Sequence, residues 1–323
     1  MIHYRRFLNT DPPLISEIWK NQKPLRGQVS SISRLMLDHH VYAKTYFDPE
    51  GYLLAIDENE STSRPLGFVH AGFAVNESHS DLNQKIGIIC QLKVVPGEKS
   101  KEVAHQLMKL ALDYLSRRGV KEIHAATCFP HAPFYAGLYG GSRIPGVLSE
   151  DADFVESLKA FAFEEFDRIG VYQRELFGFK PYMDRIQRVL TQKYQINAIA
   201  DPLERNWWES CTLGLAEREQ FTVCPKAGST DSVCGHVLYW DMQPLANHWG
   251  VNARGLYDLS VNQDSRGRGL ATFLVGQSLK YLMQQGIGLV EAQTPISDQA
   301  AVGVFKKLEF DEVARGILMK KKA

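Results

Sequence analysis

A glycine-rich turn joins a strand pattern to a helical pattern in the segment Asp258-Leu-Ser-Val-Asn-Gln-Asp-Ser-Arg-Gly-Arg-Gly-Leu-Ala-Thr272. Glycine at Gly267 and Gly269 lets the backbone come close to a ligand, and the first turn of a helix leaves its N–H groups without partners. Arg266 and Arg268 place positive charge beside those groups. Because the helix dipole also favours an anion there, the segment predicts a binding site for a pyrophosphate.

The spacing of the glycines bears on which pyrophosphate is bound. A dinucleotide fingerprint reads G-x-G-x-x-G and stands early in a series of alternating strands and helices. Here Thr272 occupies the place of the third glycine, and the turn follows several strand patterns. A nucleotide-dependent oxidoreductase that uses this turn is kept as an alternative, and it would bind NAD.

The residues Arg266-Gly-Arg-Gly269-Leu-Ala271 match in order the [QR]-x-x-G-x-[GA] signature, and in this respect the chain resembles the GCN5-related N-acetyltransferases. The resemblance implies that the turn binds the pyrophosphate of acetyl-CoA. It also implies that the thioester carbonyl lies against the preceding strand and is polarised by a backbone N–H. The implied cofactor-binding residues are Leu259, Ser260, Val261, Arg266, Gly267, Arg268, Gly269, Leu270, Ala271 and Thr272. The alternative is a tight helix start that binds nothing.

The order of predicted elements repeats along the chain, which is a sign of internal duplication. The first half gives strands at 52–56, 66–75 and 86–95, a helix at 100–118, a strand at 121–128, a short helix at 152–162 and alternating residues at 163–176. The second half gives strands at 194–198, 221–224, 233–240 and 255–261, helices at 206–215, 269–285 and 298–307, and strands at 289–293 and 312–319.

The chain has 323 residues, a length that favours two domains. We therefore predict an α/β (α+β) protein with two tandem domains, residues 1–178 and 179–323. Each domain is expected to be a twisted mixed, mostly antiparallel sheet flanked by helices. The layout is similar to that of the mycothiol synthases, and we expect a monomer in which the two halves imitate a dimer.

The corresponding turn in the first half has lost its glycine. The segment Val94-Val-Pro-Gly-Glu-Lys-Ser-Lys-Glu-Val-Ala104 keeps the register of the signature as Lys99-x-x-Glu102-x-Ala104. Glu102 takes the space that a phosphate would approach and adds a negative charge facing it. We therefore expect the first half to bind CoA poorly or not at all, and the second half to hold the cofactor.

The resemblance implies an acetyl-CoA-dependent N-acetyltransferase that acts on a small-molecule or peptide amine by direct attack. Such a reaction needs groups that move protons near neutral pH. The family often uses a Glu on the strand before the turn and a Tyr on the last helix, but Gly255 and Phe305 stand at those positions. A catalytically silent acyl-CoA-binding or interaction protein is therefore the alternative function.

Asp258 is the nearest carboxylate on the strand, and an acid in an apolar strand invites a catalytic interpretation. The alternative is a hydrogen-bonded structural Asp. Tyr135 matches the Tyr position of the last-helix motif in the first half, but a core or groove position is the simpler interpretation. Histidines could also act as bases, and no spacing singles one out; the candidates are His39, His40, His70, His124, His131, His236 and His248.

The charge and hydrophobicity of the chain limit the classes of partner that we expect. The chain carries 37 basic and 37 acidic residues and has no long apolar run, so we expect no nucleic-acid partner, no membrane partner and a cytoplasmic location. The five cysteines are odd in number and scattered, which predicts reduced thiols and no zinc site. No metal-ligand spacing is present in the sequence.

Overall fold

The structure is a computed structural model, and it describes residues 1–59, 62–128, 131–213, 216–227 and 232–323. Within these residues, thirteen strands form one continuous sheet with helices packed on it. The predicted mixed α/β fold is confirmed. Among the described residues, no helix combines the length and apolar character that crossing a bilayer requires.

The first half contains seven strands and four α-helices among its described residues. The strands are β1 (Ile2–Arg6), β2 (Tyr52–Asn59), β3 (Thr62–Val75), β4 (Leu82–Val94), β5 (Glu122–Ala125), β6 (Val147–Leu148) and β7 (Glu164–Glu175). The helices are α1 (Pro12–Lys20), α2 (Arg34–Leu37), α3 (Ser100–Arg117) and α4 (Ala152–Ala160). The sequence analysis did not predict β1, α1, α2 and β6, which are short or lack a clear apolar period.

The second half repeats the order of the first. Its strands are β8 (Tyr194–Ala200), β9 (Arg218–Pro225), β10 (Gly235–Asp241), β11 (Ala253–Val261), β12 (Leu289–Pro295) and β13 (Asp311–Lys322). Its helices are α5 (Arg185–Lys193), α6 (Trp207–Leu213), α7 (Gln243–Trp249), α8 (Leu270–Gln284) and α9 (Gln299–Lys307). The helix predicted at 206–215 corresponds to α6, and its last two residues lie outside the described residues.

The two halves exchange their last strands. The strand order is β1-β2-β3-β4-β5-β13-β7-β12-β11-β10-β9-β8, so β13 lies beside β5 of the first half and β7 lies beside β12 of the second. Strands β7 and β13 pair with each other at the centre, where Gly170 is opposite Arg315. Each half therefore completes the sheet of the other. The division at residue 178 stays a prediction, and it falls just after β7.

The core lies between the sheet and its helices. Helix α3 packs on β2, β3 and β4, and helix α8 packs on β8 to β11. The predicted inward residues Val103, Leu107 and Tyr114 of α3 are buried, as are Leu274 and Leu282 of α8. The helices thereby fix where the strand ends and the two predicted cofactor turns stand. The five cysteines are free thiols, as expected.

Candidate functional site

A gap opens in the sheet between β11 and β12. The parallel pairing of these strands ends at Leu256 and Ala292, while β11 continues to Val261 beside β10. Tyr257 is an extra residue at this point, since Leu256 pairs with Tyr239 and Asp258 pairs with Leu238. The β12-facing backbone of residues 258–261 has no strand partner within the described residues. An extended polar ligand can hydrogen-bond there as an added strand would.

The gap leads into the predicted cofactor turn, residues 266–272, which we name the glycine turn. Gly267 and Gly269 have φ angles of 73° and 81°, and Gly269 is the residue that precedes α8. Within the described chain, no backbone carbonyl accepts a hydrogen bond from the N–H groups of residues 267–272. Arg266 and Arg268 are exposed beside these free donors. The arrangement suits a bound anion.

The predicted cofactor residues thus form one continuous surface. Leu259, Ser260 and Val261 line the gap and are partly buried, and Arg266 Nε donates to the Val261 oxygen at 2.9 Å. Leu270 and Thr272 point into the core, so only their backbone can reach a ligand, and Ala271 is partly buried between them. Their binding of a cofactor stays a prediction.

Helix α5 closes one side of the glycine turn. Gln187 Nε2 donates to the Gly269 oxygen at 3.2 Å. A Cβ atom at Gly269 would lie 3.2 Å from Gln187 Nε2 and from Ile186 Cγ2. The positive φ angle and this close packing together require glycine at position 269.

The first half keeps the strand gap and lacks the turn. Its parallel pairing of β4 with β5 ends at Ile89 and Ala125, and Cys90 is the extra residue. Helix α3 begins at Ser100, three positions before the residue that corresponds to the start of α8, so Glu102 lies within the first helical turn. None of residues 95–104, all of them described, has a positive φ angle. Winding this segment into helix leaves fewer free donors, because the N–H groups of Ser100 and Val103 donate to the oxygens of Gly97 and Lys99.

Asp258 lies at the gap, on the sheet face that α6 covers. His236 Nε2 is 3.1 Å from Asp258 Oδ2, and Arg205 Nη1 donates to the same oxygen at 2.5 Å. Burial would raise the pKa of Asp258, but the hydrogen bonds from His236 and Arg205 and the charge of Arg205 lower it to about 2. Asp258 is therefore ionised and paired in the folded protein.

A network of hydrogen bonds fixes Arg205 over this strand. Arg205 Nε donates to Glu209 Oε2 at 3.1 Å, and Tyr257 OH donates to Glu209 Oε1 at 3.1 Å. Glu209 is buried on α6, and hydrogen bonds from Arg205 hold its pKa down against the effect of burial. The structural and the functional interpretations of Asp258 are thus compatible, because the same contacts hold α6 and shape the site.

The pair of Asp258 and His236 also belongs to the second half alone. Gly67 pairs with Val94 in the first half as Gly235 pairs with Val261 in the second, which aligns the two copies. Counting from these glycines and valines, Gln91 corresponds to Asp258 and Phe68 corresponds to His236. Both features that could carry chemistry therefore occur in the same copy of the fold.

Gly255 and Phe305, which stand at the family's usual positions for the catalytic Glu and Tyr, are tightly packed. A Cβ at Gly255 would lie 2.7 Å from Trp240 Nε1, and that indole donates to the Ser142 oxygen at 2.9 Å. Phe305 is buried, with its ring centroid 5.5 Å from that of Tyr172 of β7. No side chain of the family's usual type can therefore act from either position.

The predicted match of Tyr135 to the last-helix Tyr is wrong. Tyr135 lies in a turn after β5 with a φ angle of 66°, and the helix that corresponds to α9 is α4. Counting seven residues from Asp151 before α4, as from Asp298 before α9, gives Leu158 where α9 has Phe305. Tyr135 is a core residue whose hydroxyl is 3.0 Å from His70 Nδ1.

The remaining histidines have other surroundings. Burial lowers the pKa of His40 and that of His70 to about 3, and burial also lowers the pKa of His39 and of His131. His124 Nε2 pairs with Glu122 at 2.5 Å, away from the glycine turn. Of the seven candidates, His236 is the one that contacts a predicted site residue. The spacing of residues in the sequence could not show this contact of His236. In the described part of the chain, no three His, Cys, Asp or Glu side chains cluster to hold a metal ion.

The first half supplies one wall of the site. Its residues 131–151, before α4, include Ser142, whose N–H donates to Glu291 Oε1 of β12 at 2.7 Å. Gln173 Nε2 of β7 donates to Glu291 Oε2 at 2.8 Å. Burial raises the pKa of Glu291, and these hydrogen bonds lower it in part. The site is thus built from both halves.

The described residues form a duplicated α/β protein with a glycine turn at a gap in its sheet, and the free N–H groups of this turn suit an anion. Residues 183–310 match the family model of the acetyltransferase (GNAT) family. The matched residues lie in the second half of the chain, and the duplicated fold of the whole chain is similar to that of a solved tandem GNAT structure. This family typically uses acetyl-CoA and acts on amine acceptors.

One curated protein is similar to part of the chain. An uncharacterised N-acetyltransferase of Methanocaldococcus jannaschii is 30% identical over 111 residues, which cover 34% of this chain and 47% of that protein. The chain thus spans about half the length of this curated relative.

Two solved structures share the fold across the whole chain. The glucosamine N-acetyltransferase region of a fungal multi-domain β-N-acetylglucosaminidase has a TM-score of 0.71 at 15% identity, covering 99% of this chain and 38% of that one. A tandem GNAT protein from the clavulanic acid pathway has a TM-score of 0.63 at 12% identity, covering 100% and 98%.

Proposed function

We propose that this protein transfers the acetyl group of acetyl-CoA to the amine of a small molecule or a peptide, with the cofactor held in the second half. The observation that carries this proposal is the strand gap that leads into the glycine turn. The gap occurs in both halves, but the turn with its free N–H groups occurs only in the second. The match of residues 183–310 to the acetyltransferase (GNAT) family model supports the reaction class.

The residues of the turn fit the cofactor. The free N–H groups of residues 267–272, with Arg266 and Arg268 beside them, would hold the pyrophosphate, and the backbone of Leu259 to Val261 would hold the extended arm. When bound, acetyl-CoA supplies an acetyl group activated as a thioester. The chain's own contribution is to fix this arm and to polarise the carbonyl with a backbone N–H.

Asp258 contributes to the site as an ionised carboxylate that binds neighbouring side chains. A carboxylate with a pKa of about 2 is a weak proton acceptor at neutral pH. Its contacts suit a positioning role, in which it holds Arg205 and the imidazole of His236 at the gap. The first half then shapes the acceptor side, because its Ser142 lies beside Gly255 and accepts a hydrogen bond from Trp240 of β10.

The experiment combines binding and turnover. Isothermal titration with acetyl-CoA and with NAD measures cofactor choice, and release of CoA thiol is followed with a panel of n-butylamine, tyramine, glucosamine and a short peptide with a free N-terminus. We expect acetyl-CoA binding, no NAD binding and thiol release with at least one amine. NAD binding without CoA binding would favour the oxidoreductase.

A catalytically silent acyl-CoA-binding protein is the second candidate, and the missing side chain at Gly255 together with Phe305 favours it. It predicts tight acetyl-CoA binding with no thiol release above the buffer rate for any amine of the panel. The same two measurements therefore separate the candidates.

A further inference from the structure

His236 is placed to act on a ligand at the strand gap. It lies on β10 opposite Ser260 of β11, and its side chain is 29% exposed. A ligand can therefore reach the imidazole, which is already held by Asp258 on its Nε2 side. Tyr257, the extra residue of β11, brings Asp258 onto this face of the sheet.

The partners of Asp258 decide which ring nitrogen carries hydrogen. An ionised carboxylate can only accept hydrogen bonds. Nε2 of His236 must therefore donate to Asp258, and a neutral imidazole then keeps its lone pair on Nδ1. The other charged groups around the pair are Arg205 before α6, Glu209 on α6 and the partly buried Arg143 of the first half. On its other side His236 pairs with the uncharged Thr222 of β9.

We propose that Nδ1 of His236 accepts the proton that the acceptor amine loses, while Asp258 holds the imidazole in the required tautomer. This inference rests on the proposed acetyl transfer. In the step, the amine nitrogen forms a bond to the acetyl carbon, the carbon–sulfur bond breaks, and its electron pair leaves with sulfur. Nδ1 takes one proton from the ammonium before the attack, and the second proton, which the nitrogen loses as the amide forms, passes through water to the thiolate.

The neighbouring groups do not compete for this role. Glu209 is buried and accepts hydrogen bonds from Arg205 and Tyr257, and Asp258 is paired with Arg205. Gly255 and Phe305 carry no titratable group. An imidazole is the side chain best suited to accept and release a proton near neutral pH.

The first test uses His236→Gln with two kinds of amine. An alkylamine is charged at neutral pH and must lose a proton before attack, whereas hydroxylamine is already neutral. We expect kcat for the best alkylamine of the panel to fall about 100-fold or more with little change in KM, because general bases contribute about that factor. The rate with hydroxylamine should fall less than about tenfold. His248→Gln, on the exposed face of α7, is the matched control and should keep the wild-type rates.

A second test does not depend on turnover. Nitrogen NMR of histidine-labelled protein at pH 8, with the His236 signals assigned by their loss in His236→Gln, should show hydrogen on Nε2 and none on Nδ1. Hydrogen on Nδ1 would overturn the inference.

The outcomes separate the inference from the function on which it rests. Wild-type activity that survives in His236→Gln with alkylamines overturns the inference alone. The absence of thiol release by the wild type with hydroxylamine and every amine of the panel overturns the proposed function, and the inference with it.

Discussion

Replacing Gly269 by glutamate tests the glycine turn most directly. Gly269 has a φ angle of 81°, which costs an L-residue about 1–2 kcal/mol of folding free energy. The new carboxylate would stand among the N–H groups proposed to hold the pyrophosphate. At about 5 Å and an effective dielectric constant of about 20, two like unit charges repel by about 3 kcal/mol. Solvent exposure of the turn reduces this to about 1.5 kcal/mol for each phosphate charge.

Two phosphate charges therefore give a loss of about 3 kcal/mol in binding, or a dissociation constant raised about 150-fold. Gly286→Glu is the matched control, because Gly286 has a φ angle of 84°, lies beyond the other end of α8 and has open space around it. The two variants share the backbone strain and differ in distance from the turn. We expect calorimetry with acetyl-CoA to show weakened binding for Gly269→Glu alone, with thermal melts confirming that both variants fold. Unchanged affinity in folded Gly269→Glu would refute the assignment of the site.

Three further outcomes follow from the contacts. Gly141 has a φ angle of 85°, and a Cβ there would lie 1.9 Å from Glu291 Oε1 and break the hydrogen bond of this oxygen with Ser142. Gly141→Ala should therefore lower the free energy of unfolding, measured in urea, by about 2–5 kcal/mol. Gly97→Ala, which has open space around the new Cβ, should lower it little. The pKa of Asp258 is lowered from 3.8 to about 2, so its ion pairs stabilise the fold above pH 4 and the effect is lost as the pH falls to 2. Asp258→Asn should therefore be less stable than wild type by about 2 kcal/mol at pH 7 and nearly equal to it at pH 2; a pH-independent difference would contradict this cause. Glu102→Gly should not create a second CoA site, because α3 already begins before it, and a calorimetric stoichiometry of two would show that reasoning to be wrong.

The repeated order of elements and the glycine turn could be predicted because both depend on residues that are close together in the sequence. Apolar periodicity marks β11 and α8, and Gly267 and Gly269 mark the turn between them. The error at Tyr135 has a local cause as well. The motif match at Tyr135 falls soon after β5, whereas the helix that corresponds to α9 is α4 and begins only at Ala152.

The features missed by sequence reasoning depend on long-range pairing. The contact of His236 with Asp258 joins residues from two strands, and it needs the extra residue Tyr257 to turn the carboxylate toward the imidazole. Strict alternation predicts Leu256 and Leu259 on opposite faces of the strand, whereas the bulge lets both pack in the same core. The exchange of β7 and β13 cannot be read from the sequence either. Both are the last strand of their half, and each could occupy the same position in either sheet.

This exchange gives the half without the glycine turn a structural role beside the proposed site. Strand β12 is paired with β7 from Leu289 to Pro295, so the second half has no closed sheet of its own on that side. The buried carboxylate of Glu291 would lose the hydrogen bonds from Ser142 and Gln173 if the first half were absent. A buried charge without partners costs several kcal/mol, which is a large part of the stability of a domain. The first half can therefore lose its own cofactor turn while its packing against β12 is retained, because that packing forms a wall of the remaining site.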